Sequence, residues 1–172
     1  MKPFCFVFLN FFIISSSFAQ NDEALFLQSK KFYEASKDDS AAMILKVILS
    51  HKKIPYKLES DIYNLLGHIE LNKGNLPLAL NEYIRFEKIG IDNNDIDLIV
   101  QAAISISGIY REQNNFPLAI TYINTAEKSI DKILDKKVAG NFYNNKGILL
   151  EMTNKPDSAI IAYNKAITLS LI

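Results

Sequence analysis

Alanine recurs at Ala79, Ala119 and Ala159, at an unvarying interval of forty residues, and each copy follows a break of similar kind: Gly74-Asn75, Asn114-Asn115 and Asn154-Lys155. A fixed interval of this length means a chain of stacked supersecondary units, each of which buries its apolar face only against its neighbours. The unit is clearest at Ile62–Ile89, IYNLLGHIELNKGNLPLALNEYIRFEKI. On either side of Gly74-Asn75 the apolar residues fall at helical intervals, so the unit is two amphipathic helices folded back on each other. The expected fold is therefore all-α, a solenoid of antiparallel helical hairpins.

Four hairpins are expected, near residues 22–55, 56–94, 95–134 and 136–172. The first is degenerate. Leu25, Phe26, Phe32 and Tyr33 mark its first helix, Ser36–Ser40 the turn, and Asp39 or Ser40 would cap a second helix carrying Ala41, Ile44, Leu45, Ile48 and Leu49. His51–Pro55 then interrupts, because the residue before proline is pushed out of helical geometry. The second hairpin should have helices near 56–73 and 76–89, with Gly67 and Ala79 small where the two approach. Pro77 lies in a first turn, where its missing N–H costs nothing, and Gly90 closes the helix. The gap from proline to alanine is two residues in Pro77-Ala79 and Pro117-Ala119 but three in Pro156-Ala159, so the turns are alike in kind without being superposable.

Composition narrows the function. The 172 residues carry 19 basic and 19 acidic side chains, so no charge bias recruits a nucleic-acid backbone. At the N-terminus, Met1-Lys2 precedes an apolar run over Phe4–Ile14, and Ser17 and Ala19 are small. These are the three parts of a secretory signal peptide, residues 1–19, cut after Ala19 to leave residues 20–172 as the helical-repeat domain. The alternative, an uncleaved anchor, would need about 20 apolar residues to span a bilayer. Nothing later in the chain is long and apolar enough to cross a membrane, so the product is expected to be exported, most plainly to a periplasm. The single cysteine, Cys5, lies before the apolar run, which argues against a lipoprotein and leaves no disulfide or cysteine metal site in the mature chain.

The hairpins resemble tetratricopeptide repeats. Tyr63, Leu66-Gly67, Gly74-Asn75-Leu76, Ala79 and Tyr83 fit that pattern, with Phe86 in place of its second alanine. Tyr143, Gly147, Ala159, Tyr163 and Ala166 fit it too, although Lys146 replaces the leucine and Asn154 the glycine. The third repeat keeps Tyr110, Ala119 and Ala126 but has Ser107 for glycine. The period exceeds the usual 34 residues by six, about one and a half helical turns. Longer repeats of this kind look like those of bacterial sensors and regulators that recognise peptides or proteins; exported forms resemble the periplasmic part of membrane-spanning transcriptional regulators or histidine kinases.

The resemblance implies a concave groove lined by the first helix of each hairpin. By register it would include Asn64, His68, Leu71 and Asn72; Gln101, Ile104, Ser105, Gly108, Arg111 and Glu112; and Asn141, Asn144, Asn145, Ile148, Glu151 and Met152. The neutral amides among these can both donate to and accept from an extended peptide backbone; alternatively they are solvated helix faces. The carboxylate clamp of some family members is not reproduced, since Phe26, Lys30, Gln101 and Ser105 stand at the matching places. Catalysis has little support: His51 and His68 lie apart, Glu70 and Glu151 are lone acids, and neither phosphate loop nor catalytic triad can be picked out. The expectation is a non-enzymatic, exported scaffold for a protein or peptide, the sensor part of a signalling regulator, without cofactor or metal. The alternative is a structural assembly subunit that stacks through its uncapped last helix, where Ile167, Leu169 and Ile172 would meet another copy or a missing C-terminal segment.

Overall fold

The computed structural model describes the backbone of residues 7–170 and the side chains of residues 21–170. All eight α-helices follow one another without a strand among the described residues: α1 (Val7–Glu34), α2 (Asp38–Leu49), α3 (Tyr56–Asn72), α4 (Leu76–Asp92), α5 (Ile96–Glu112), α6 (Phe116–Glu127), α7 (Lys136–Met152) and α8 (Pro156–Ser170). None is long and apolar enough to cross a membrane. Of the expected signal peptide, residues 1–6 lie outside the described residues, as does Ile172 of the expected end interface.

The chain forms two compact units, Met1–Ile62 and Tyr63–Ile172. In the first, α1 packs on α2. Ala41, Leu45 and Ile48 are fully buried, and Asp22, also buried, holds His51 through an Oδ1–Nδ1 contact of 2.7 Å. Intervals along the chain gave His51 no carboxylate partner, because a pair 29 residues apart is made by the fold. The cap expected at Asp39 or Ser40 is absent: α2 starts at Asp38, and Lys37 precedes it without a side-chain cap bond.

The second unit is built from a repeated turn. Gly74, Asn94, Asn114 and Asn154 all have positive φ, between 52° and 73°. At each, two amides turn back to the helix just ended; Gly74 N–H reaches Leu71 O at 2.9 Å and Asn75 N–H reaches Glu70 O at 2.8 Å. This double bond pattern satisfies carbonyls the helix end would leave open. Asparagine serves where glycine is absent because its short polar side chain tolerates the left-handed region better than other residues do. The next residue then begins a new helix: Asn75, Asp95 and Asn115 accept the N–H of Leu78, Leu98 and Leu118 at 3.3–3.4 Å. Pro77 and Pro117 follow in the first turns, as expected.

Small residues set how closely the helices approach. Ala79, Ala119 and Ala159 are all buried. A methyl group on Gly67 would lie 2.4 Å from Tyr83 Cε1, and one on Gly147 would lie 2.5 Å from Tyr163 Cε1, so each tyrosine ring lies flat on a glycine one helix away. The third hairpin solves the same problem differently. Ser107 and Ile123 stand at those two positions, and the buried serine hydroxyl donates to Ala119 O at 3.0 Å. Tyr83 and Phe86 of α4 pack with Ala102, Ile106 and Ile109 of α5, while the other side of α5, Val100 and Ala103, packs with Ile123 of α6 and Phe142 of α7. Full burial of each such large side chain stabilises the fold by about 1.5–3 kcal/mol.

Gly90 corrects the sequence reading. It does not close α4, which runs on to Asp92, but sits buried within it where a methyl would meet Ile99 N at 3.0 Å. The closing residue is Asn94. Forty residues later the position is Ile130, a large side chain in place of the glycine. There α6 stops early at Glu127, a 3₁₀ turn covers Ile130–Lys132, and Ile130 and Ile133 pack half-buried against the α5–α7 core.

Candidate functional site

Helices α3, α5 and α7 supply the first helix of their hairpins, and the forty-residue register brings the same faces of each to one side of the second unit. There they line a half-open cavity of about 270 Å³. Asn64, His68 and Leu71 line it from α3; Gln101, Ile104, Ser105 and Gly108 from α5; Val138, Asn141 and Asn145 from α7; Tyr83 of α4 reaches it from beneath. Six of the nine expected groove residues therefore share one cavity: Asn64, His68, Gln101, Ser105, Asn141 and Asn145. Arg111 touches its edge, donating from Nη1 to Asn145 Oδ1 at 3.4 Å, with a second contact to Glu112 at 3.7 Å. Asn72 and Asn144 are exposed and do not line it. Of the other residues placed there by register, Glu151 is taken up by the Tyr163 hydroxyl at 2.8 Å.

Two lining residues were not expected. Val138 lies one helical turn before Asn141 on the same face of α7, which is the signal that could have found it. Tyr83 reads as core, and at 1% exposure it is, but its hydroxyl lies 3.0 Å from His68 Nδ1 with the two rings edge to face. Burial holds the His68 imidazole below its ordinary pKa, so it is neutral at pH 7. When the tyrosine donates to Nδ1, the neutral ring keeps its proton on Nε2 and has a donor left for another partner.

Satisfaction of the lining is uneven. Ser105 donates to Gln101 O at 3.2 Å and Asn145 Nδ2 to Asn141 O at 2.9 Å, both along their own helices. Asn64 Oδ1, by contrast, is buried and without a hydrogen-bond partner. A buried acceptor left open costs about 1–3 kcal/mol. Gly108 is a second local cost. It lies inside α5, yet a methyl group built on it meets nothing within 4 Å. Glycine there costs about 1 kcal/mol against alanine, with no close packing to require it. Its effect is to leave open the middle of the cavity, where the equivalent positions of α3 and α7 carry His68 and Ile148.

Chemically the arrangement offers neutral donors and acceptors around a small apolar floor. At about 270 Å³ it falls just below the range of small-molecule and cofactor pockets, about 300–1,000 Å³. No cluster of three metal-ligating side chains occurs among the described residues.

At the far end of the unit, α8 exposes Ile161 at 61% and Ile167 at 56%. Leu169 is half-buried and lines a shallow trough of about 510 Å³ with Tyr143, Ile161 and Lys165. Lys165 lies over the Tyr143 ring at 5.0 Å.

Residues 140–171 match the family model of the tetratricopeptide repeat, the stretch in which Tyr143, Gly147, Ala159, Tyr163 and Ala166 carry the resemblance. Proteins with this repeat are in general non-enzymatic scaffolds for protein–protein contact. Among curated proteins none matches the chain. Among solved structures the chain is similar to the crystal structure of BtubC (BKLC) from P. vanneervenii, with a TM-score of 0.70 and 19% identity over 86% of this chain. The match spans 61% of that protein's length, and at such identity the likeness is one of fold.

Proposed function

We propose that this chain is an exported, non-enzymatic scaffold that takes an extended peptide segment of a partner protein across α3, α5 and α7. The observation that carries the reading is one cavity shared by three successive hairpins and lined by the amides of Asn64, Gln101, Asn141 and Asn145. Amide side chains both donate and accept, and a peptide backbone brings an N–H and a C=O at each residue. Neutral His68 and the amides of Gln101, Asn141 and Asn145 suit a neutral backbone better than a carboxylate, since Arg111 at the edge already meets Glu112. Export by a signal peptide at residues 1–19, a periplasmic location and service as the sensor part of a membrane-associated signalling regulator complete the reading. N-terminal sequencing of the secreted product should begin at Gln20.

Panning the immobilised full chain against a displayed library of random peptides tests the groove. Selected peptides should lose at least tenfold in affinity to Gly108→Trp, which fills the cavity from a position with free space around it. They should bind Asn81→Lys, on the exposed face of α4, as they bind the unaltered chain. Peptides that bind Gly108→Trp undiminished would place recognition elsewhere.

A further inference from the structure

The helices α4, α6 and α8 can be compared position by position, and α8 is apolar at two places where its counterparts are polar. Ile161 stands where α4 has exposed Asn81 and α6 has exposed Thr121; Ile167 stands where they have Glu87 and Glu127. Glu127 meets Lys146 of α7 in an ion pair, a role isoleucine cannot fill. At these two positions α8 alone is apolar among α4, α6 and α8. It leaves a trough of about 510 Å³ along Tyr143, Ile161, Asn164, Lys165, Thr168 and Leu169.

The charges beside that trough are arranged about a centre. Asp157 and Lys165 lie four residues before and four after Ile161, so all three share one ridge of the helix. Two antiparallel copies of α8 crossing at Ile161 bring Asp157 of each beside Lys165 of the other, twice, and Ile161 against itself. A parallel pair would oppose like charges. We propose that α8 is a homodimer interface: a second copy of this chain lays its own α8 antiparallel across this one, centred on Ile161 at the edge of the trough, with two Asp157–Lys165 pairs at its flanks. A two-fold contact of this kind is closed and self-complementary, so it ends at two copies. It is independent of the peptide groove, which lies on α3, α5 and α7.

Sedimentation velocity of the full chain over a concentration series tests the inference. The unaltered chain should dimerise reversibly. Asp157→Lys alone, or Lys165→Asp alone, turns both attractions into repulsions and should weaken the dimer about tenfold, while the double exchange should restore it. Both sites are exposed, so circular dichroism should be unchanged. In a Cys5→Ser background under a mild oxidant, Ile161→Cys should link two copies and Asn81→Cys should not. A chain that stays monomeric throughout the series overturns the proposal and leaves the face to a different protein. Dimers indifferent to both single exchanges overturn it as well, as does an Ile161→Cys chain that fails to link.

Discussion

Replacing Gly67 by alanine and Gly108 by alanine is the same chemical change in the middle of two equivalent helices, and the two should shift stability in opposite directions. At Gly108 the new methyl meets nothing within 4 Å. The helix then gains what glycine withheld, about 0.5–1 kcal/mol. At Gly67 the same gain is outweighed. The methyl would stand 2.4 Å from Tyr83 Cε1 and 2.7 Å from Cδ1 and Cζ, one whole edge of a ring that is 1% exposed and has nowhere to swing. Overpacking of this kind costs about 1–3 kcal/mol. Displacing the ring also strains the 3.0 Å contact between Tyr83 Oη and His68 Nδ1, worth about 1 kcal/mol. The net loss is about 1–3 kcal/mol, so the two variants should differ by about 2–4 kcal/mol, or roughly 4–16 °C in Tm for a chain of this size. Urea unfolding followed by circular dichroism measures the difference. Gly67→Ala combined with Tyr83→Ile should recover part of the loss, since Ser107 with Ile123 is a working version of that pairing. Shifts of the same sign and size at both glycines would refute the argument that ring contact, rather than helix propensity, fixes Gly67.

Asn94 closes α4 with φ at 52°, so Asn94→Ala should lower stability by about 1 kcal/mol in the same urea assay while Asn94→Gly should leave it within about 0.5 kcal/mol. His68 gives a pH dependence. Burial depresses its folded pKa below 6.5, so the unfolded chain takes the proton first; its contribution is whole above about pH 6.5 and is lost as pH falls toward the lower folded value. The stability difference between the unaltered chain and His68→Gln should therefore shrink on acidification through that window, and an NMR titration of the His68 ring should give a midpoint below 6.5.

Much of this architecture was legible because repetition is a property of sequence. Three alanines at a fixed interval, each after a Gly-Asn, Asn-Asn or Asn-Lys break, mark the paired helices α3–α4, α5–α6 and α7–α8, whereas the first hairpin, expected from residue 22, has a first helix that starts at Val7. The groove was partly legible for the same reason, since register alone carries Asn64 to Ile104 and Gln101 to Asn141. Register failed at its margins. Asn72 and Asn144 are a step around their helices from the cavity, and small rotations that no periodic pattern encodes decide which of two adjacent residues faces in. Gly90 was misread because a glycine near a helix end has two uses, a left-handed cap or a close contact, and only the neighbouring helix says which applies.

The sequence by itself thus determined the kind of element and the order of the hairpins along the chain, both of which follow from local periodicity and turn chemistry. Tertiary structure alone decided the pairings between distant residues. It set Tyr83 on Gly67 and beside His68, gave Ser107 the carbonyl of Ala119, joined Asp22 to His51 and left Asn64 without a partner. Those outcomes depend on distances between helices, which arise from the sum of all side-chain volumes at a contact and are written in no single stretch of chain.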